Sequence, residues 1–326
     1  MPVIWQTTRY RIDLSAPRIM GIVNTSPDSF SDGGQHADLR AQLAHCERLI
    51  GEGADILDIG GVSTRPGSLP VPLAEELARV LPLVREAVKL GVPVSVDTGA
   101  PEVMAAVLDA GADIINDVWA LRRTGQTHGA PTALDVAAHH PSCGLCLMHM
   151  HGDPQTMQAH PMTDDAVSAV LAFLRERRDA LTAHGIARDR IVLDPGIGFG
   201  KTVAQNFALL ARQRELLALG QPLLVGWSRK SALGAALTLR PPRFPASQGA
   251  LPPEATPAAL ERPGGGGMTS PRSRDVASVA AALLAIERGA RIVRVHDVRA
   301  TTAALAIWQS MREQAQLAAG TPPSRD

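Results

Sequence analysis

The sequence predicts a single (β/α)8 (TIM) barrel, and three observations predict it. Eight short apolar runs recur along the 326 residues. Amphipathic or alanine-rich helical patterns alternate with them. Each run ends in, or just before, polar or small residues suited to chemistry, and parallel barrels place their chemistry at C-terminal strand ends.

The runs cover residues 18–23, 54–59, 92–96, 112–115, 144–148, 191–193, 222–227 and 291–295. At or just after their ends stand Asn24, Thr64, Asp97, Asn116, His149, Asp194, Lys230 and His296. None alternates strictly, as expected of strands buried on both faces. Helical periodicity covers 36–50, 73–90, 101–110, 132–139, 163–184, 203–219, 276–288 and 301–316. Gly51, Gly91, Gly111, Gly185 and Gly289 mark helix stops. The joint Gly53-Ala54-Asp55-Ile56 returns as Gly111-Ala112-Asp113-Ile114 and Gly289-Ala290-Arg291-Ile292. A recurring helix-to-strand joint is the mark of a repeated β/α unit. The barrel domain spans 18–316, with a lead-in at 1–17 and a disordered tail at 317–326. Within it, residues 240–274 hold eight prolines and four consecutive glycines at 264–267. They read as a flexible insertion near the seventh β/α unit.

Composition narrows the function classes. The chain is 45% hydrophobic but only 3% aromatic, so its core is built from Ala, Val, Leu and Ile. Thirty-two basic and 32 acidic residues cancel, which argues against an electrostatic grip on nucleic acid or an acidic membrane. No apolar stretch reaches the roughly 18 residues of a membrane span, and no secretory signal opens the chain. Three cysteines, Cys46, Cys143 and Cys146, point to a reducing cytoplasm and no disulfide framework. Of the basic residues only Lys89, Lys201 and Lys230 are lysine. Lysine is a compact point charge with three donors, and its retention at Lys230, beside Arg229, marks a site that arginine would not fit.

Several segments carry chemistry. Asn24-Thr25-Ser26-Pro27-Asp28-Ser29-Phe30-Ser31-Asp32-Gly33-Gly34 is a polar loop suited to folding over a substrate. Asn24 offers a neutral oxygen that suits Mg²⁺ shared with phosphate. The segment 58–67, Asp58 to Gly67, combines glycines with Ser63, Thr64 and Arg65, a donor set for an anion. Asp97, Asn116 and Asp194 close three separate strands. They either cap the following helices or read a heterocycle bearing an amino group and a lactam. Asp194-Pro195-Gly196-Ile197-Gly198-Phe199-Gly200-Lys201 meets neither nucleotide fingerprint and reads as a ligand-hugging loop with Phe199 for stacking. Ser228-Arg229-Lys230 follows the seventh run and Arg294-Val295-His296 closes the eighth, where this fold often binds phosphate.

In this order, these segments resemble the dihydropteroate synthase family from about Arg18 to Gln314. Its pattern Asn-Val-Thr-Pro-Asp-Ser-Phe-Ser-Asp-Gly-Gly is matched at 24–34, and Asp-Ile-Gly-Gly-Glu-Ser-Thr-Arg-Pro-Gly at 58–67. The Val-Asp-Thr, Ile-Asn-Asp, Met-His-Met, Asp-Pro-Gly, Ser-Arg-Lys and Arg-Val-His-Asp segments match as well. Departures stand at Thr25, Ser26, Val62, His151 and Ile197. The resemblance implies a transferase of folate biosynthesis that joins a dihydropterin methyl diphosphate to 4-aminobenzoate. It implies pterin binding by Asp97, Asn116, Asp194 and Lys230. Asn24, Thr64, Arg65, Arg294 and His296 would bind diphosphate, with Mg²⁺ on Asn24. Phe30, Pro66, Phe199, Lys230 and Ser231 would shape the arylamine pocket, where sulfonamides compete. Of these, Asn24, Thr64, Asp97, Asp194, Lys230, Arg294 and His296 would be catalytic. The family also implies a cytoplasmic homodimer.

Overall fold

Two short antiparallel strands, β1 (Ile4–Gln6) and β2 (Arg11–Asp13), precede eight parallel strands that close into a barrel. These are β3 (Arg18–Asn24), β4 (Ile56–Gly60), β5 (Val94–Asp97), β6 (Ile114–Asp117), β7 (Gly144–Met148), β8 (Ile191–Asp194), β9 (Leu223–Val225) and β10 (Ala290–Val295), and β10 pairs back onto β3. Helices α1 (Gln35–Gly51), α2 (Leu73–Ala87), α3 (Pro101–Asp109), α4 (Ala133–His139), α5 (Ala166–Ala183) and α6 (Val203–Ala211) connect the strands up to β9. Next come α7 (Ser231–Thr238) and α8 (Pro271–Glu287), and α9 (Val298–Ala318) closes the chain. The computed structural model describes residues 3–25, 35–63, 68–126, 129–238 and 271–318, without the side chains of 35–38 and 271–272.

Local chemistry sets the boundaries. Thr132 and Thr202 each form a reciprocal capping box, with Asp135 and Gln205, at the starts of α4 and α6. Pro101 opens α3, where a missing N–H is harmless. The strands are buried along nearly their whole length, and all five residues of β7 are buried.

The structure sharpens several expectations. The pattern at 203–219 is two elements: beyond Ala211 the chain tightens into a 3-10 turn, Gln213–Leu219, where buried Gln213 donates to the Ala285 carbonyl at 2.8 Å. Helix α7 was absent from the sequence reading because Ser231–Thr238 is short and almost wholly apolar or small. The insertion expected at 240–274 loses its last four residues to α8, which opens on Pro271; residues 239–270 lie outside the described residues. Helix α9 runs two residues into the segment expected to be a disordered tail, and 319–326 also lie outside. The run 222–227 contributes only Leu223–Val225 to the ladder. Trp227 leaves it to pack on Phe207, with ring centroids 5.5 Å apart.

The residues read as a lead-in are a plug. Trp5, Ile12 and Leu14 pack with Met20, Ile56, Ile114, Cys146, Val192, Leu224 and Ile292, which come from seven of the eight barrel strands. Trp5 is fully buried, and its indole N–H donates to the Arg190 carbonyl at 2.9 Å. A Cβ at Gly144 would lie 3.1 Å from that nitrogen, so the strand comes close only because Gly144 has no side chain. Arg9 pins the hairpin to the barrel through Asp113, at 3.0 Å from Nε and 2.6 Å from a terminal nitrogen. Trp5→Ala is expected to cost about 3–5 kcal/mol, by lost transfer energy and the cavity left behind. Urea denaturation reads it; an unmoved midpoint would mean that the plug adds nothing.

Candidate active site

The barrel mouth is organised around one buried carboxylate. Asp58 lies in the middle of β4 with no exposed surface. It accepts from Ser95 Oγ at 2.6 Å, Asn116 Nδ2 at 3.2 Å and Arg294 Nε at 2.5 Å. Those donors stand on β5, β6 and β10. Arg294 then reaches Asp97 with a terminal nitrogen at 2.9 Å. Three of the residues singled out in the sequence, Asp97, Asn116 and Arg294, therefore meet in one network. Asn116 does not cap the helix that follows, whose N-cap is Thr132, and its side-chain N–H donates to Asp58 instead. Sequence reading gave Asp58 no role, although a charge inside the apolar run Ile56-Leu57-Asp58-Ile59 was the signal: such a residue needs partners.

Burial sets the titration of this network. It pushes Asp97 up to about 7, although Arg294 pulls the other way. Asp194 is also raised by burial, opposed by the Gly196 N–H, which donates to it at 2.7 Å, and by Lys230. Burial opposes the charge on Arg294, yet Asp58 and Asp97 outweigh it and raise its pKa.

The loop after β8 brings the next group together. Phe199 is buried against Val118, Met148, Met150 and Met157. The Lys230 ammonium stands 4.2 Å above the Phe199 ring, a cation–π geometry. Ser231 follows as the first residue of α7. Arg229, between Ser228 and Lys230, takes a left-handed backbone (φ 59°). Its N–H donates to Ser278 Oγ at 2.9 Å, and its side chain pairs with Asp275 at 2.8 Å. That turn sends Arg229 outward while Ser228 meets His296 Nδ1 at 2.9 Å. Ser228 Oγ also accepts from the His296 backbone N–H at 3.1 Å. These two contacts tie the His296 ring and backbone to Ser228.

Asn24 ends β3 exposed at the mouth. A cleft of about 290 Å³ opens beside Asp97, between the segments that follow β4, β5, β6 and β7, and Thr98, Trp119 and Arg123 line it. Its volume approaches that of a small-molecule site. Phe30, Thr64, Arg65 and Pro66 lie outside the described residues, as do Ser26, Asp28 and Asp32. Among the described residues no three His, Cys, Asp or Glu side chains cluster as metal ligands. His149 packs edge-on to Phe173, with ring centroids 5.0 Å apart, and its Nδ1 is buried without a partner. Cys143 and Cys146 are free and buried, as is Cys46.

The comparisons with known proteins agree with this geometry. The family described as pterin binding enzyme matches residues 20–296. The chain is 45% identical to a dihydropteroate synthase of Neisseria meningitidis serogroup C over 311 residues, 94% of this chain and 97% of that one. The structure of a Xanthomonas albilineans dihydropteroate synthase with 4-aminobenzoic acid superposes with a TM-score of 0.79 at 42% identity, covering 96% of this chain and 99% of that one. That of a Yersinia pestis dihydropteroate synthase with a sulfonamide drug complex gives 0.78 at 38% identity, covering 95% and 99%.

Two outcomes follow from the buried charges. Asp58→Asn leaves Arg294 with half its counter-charge and is expected to cost about 3 kcal/mol; a thermal midpoint equal to the parent's would contradict the hub role. Burial holds His149 neutral, with its pKa lowered from 6.5 to about 3. Below pH 6.5 the unfolded chain takes up a proton that the folded chain refuses, so stability falls with acidification. The loss from this group reaches about 2 kcal/mol at pH 5. His149→Phe is expected to flatten that slope between pH 7 and 5; parallel curves for the two proteins would count against it.

Proposed function

The chain belongs to the dihydropteroate synthase family of pterin-binding enzymes, and from that premise we propose the transferase reaction it performs. It joins (7,8-dihydropterin-6-yl)methyl diphosphate to 4-aminobenzoate, giving 7,8-dihydropteroate and diphosphate in folate biosynthesis. The observation that carries this reading is the meeting of Asp97, Asn116 and Arg294 on one buried carboxylate, at the mouth that also holds Lys230 over Phe199.

The C–O bond between the pterin methylene and diphosphate breaks, the arylamine nitrogen forms the new C–N bond, and that nitrogen loses a proton. Asp97, Asn116 and Asp194 offer the acceptors and the amide that a pterin edge requires, and Lys230 adds a donor. The two carboxylates stand where positive charge develops on the methylene. Arg294, and His296 held by Ser228, receive the charge of the departing diphosphate, with Thr64 and Arg65 assigned to the same task. An arylamine is already nucleophilic, so no strong base is required. Phe199 and Ser231, with Phe30 and Pro66, shape the pocket for 4-aminobenzoate, which makes it a sulfonamide target as in the Yersinia pestis relative.

Mg²⁺ fits this arrangement as a substrate-borne ion. Asn24 is a hard neutral oxygen donor at the mouth, and such an ion takes one or two protein oxygens together with phosphate and water. When bound, it would neutralise charge on the diphosphate. We also propose a cytoplasmic homodimer. Helix α8 leaves Val276 and Leu284 exposed, and α9 leaves Ile307, Met311 and Leu317 exposed, a face that a second copy would cover. No helix among the described residues is long and apolar enough to cross a membrane.

The test is diphosphate release from the pterin diphosphate and 4-aminobenzoate. Turnover is expected to require both substrates and to fall sharply with EDTA. Folded protein that releases nothing would refute the reaction, and full turnover in EDTA would refute the Mg²⁺ assignment.

A further inference from the structure

We propose that Lys201 is a positioning residue for the arylamine pocket, gathering the backbone of residues 196–200 into the wall that holds Phe199 under Lys230. The proposal rests on the transferase reading above. Lys201 belongs to the glycine-rich segment after β8, whose Gly200-Lys201 pair fits no nucleotide fingerprint, and the reaction as derived leaves it unused.

Its surroundings are specific. Lys201 is 2% exposed. Its ammonium donates to the carbonyls of Gly196 at 2.8 Å, Phe199 at 3.0 Å and His149 at 3.4 Å. Three donors thus meet three main-chain acceptors from two segments, the loop after β8 and the end of β7. A planar guanidinium fork does not reproduce that tripod, and lysine is retained here in a chain that otherwise uses arginine almost throughout.

The loop is shaped around this cation. Gly196 (φ 68°), Gly198 (φ 83°) and Gly200 (φ 66°) are all left-handed. A Cβ at Gly196 would lie 1.8 Å from the His149 carbonyl oxygen, and one at Gly200 would lie 2.2 Å from that of His151. The loop backbone therefore lies directly on the chain after β7. On the loop's other side, Asn206 Oδ1 accepts from the Gly198 N–H at 2.6 Å. The outer surface faces the second substrate: a Cβ at Gly198 would stand 3.0 Å from Lys230 Cδ, and the Phe199 ring lies beneath the Lys230 ammonium. Loss of the tripod frees the Gly196 and Phe199 carbonyls, and the Phe199 ring shifts beneath Lys230, which is carried by the segment between β9 and α7. Asp97 and Asn116 stand on other strands and keep their places, so only Asp194, which accepts from the Gly196 N–H at 2.7 Å, passes a smaller effect to the pterin.

The experiment compares the full-length protein with Lys201→Met, which keeps the length of the side chain and removes its donors. The variant is expected to raise KM for 4-aminobenzoate about tenfold or more and KM for the pterin diphosphate by less than about threefold. Hydrogen exchange at the Gly198 and Phe199 amides is expected to rise about tenfold while that of the β8 amides holds. An equal rise in both KM values, or unchanged exchange in the loop, overturns the proposal. If Lys201→Met does not fold, Lys201→Gln, which keeps two donors, carries the same comparison with a smaller split in the same direction, and no split overturns it. If the unaltered protein turns over neither substrate, the transferase reading falls on its own, and loop exchange still decides whether Lys201 orders the wall.

Discussion

Arg294 lies inside the barrel because two carboxylates meet it there. Burying an ion costs several kcal/mol even after relaxation, so Asp58, which has no exposed surface, would not tolerate its position without the half-buried Arg294. Together they fix more than each other. Asp58 also takes Asn116 and Ser95, and Arg294 takes Asp97, so one network sets side chains on β4, β5, β6 and β10. Asp58 and Arg294 are 236 residues apart in sequence, and only closure of the sheet brings them together. The barrel is thus the condition for the site.

The two ends of the barrel are built from different materials. The base is filled by an apolar layer from seven strands and sealed by Trp5 and Leu14. The mouth replaces that layer with Asp58, Asn116, Asp97, Asp194 and Arg294. Apolar contacts at the base stabilise the chain without regard to direction, whereas the hydrogen bonds at the mouth require fixed geometry. Preorganisation at the top therefore depends on rigidity below.

The sequence announced the strands and their ends well, because an apolar run closed by Asp97, Asn116 or Asp194 is visible in one dimension. It announced other features poorly. The plug was missed because β1 and β2 are three residues each, too short for a period, and their partners are distant. Helix α7 was missed for want of a polar face. Asp58 is hard to read because the glycines and donors that follow it in the same motif carry the stronger local signal, although its charge interrupts the apolar β4. The lysine bias was read at Lys230, where the aromatic contact with Phe199 supports it. The fuller case is Lys201, whose three carbonyl partners come from glycine conformations and from a neighbouring strand end that no local pattern encodes.

The raised carboxyls bear on how the site acts. Without substrate, burial holds Asp97 near 7 and raises Asp194, so burial works against the charged form of each. N–H donors on a bound pterin edge favour the charged form and lower a carboxyl pKa. Under the proposed function, the ring completes the ionisation of the groups that then stabilise charge on its own methylene. The field needed for departure of diphosphate thus strengthens as the ring enters. On the same proposed function, a ring donor that satisfied Asp97 would compete with the 2.9 Å bond from Arg294, while Asp58 would keep hold of Nε at 2.5 Å. One end of the guanidinium would then stay anchored while the other met an anion, and the proposed reaction would link recognition of the ring to grip on its leaving group.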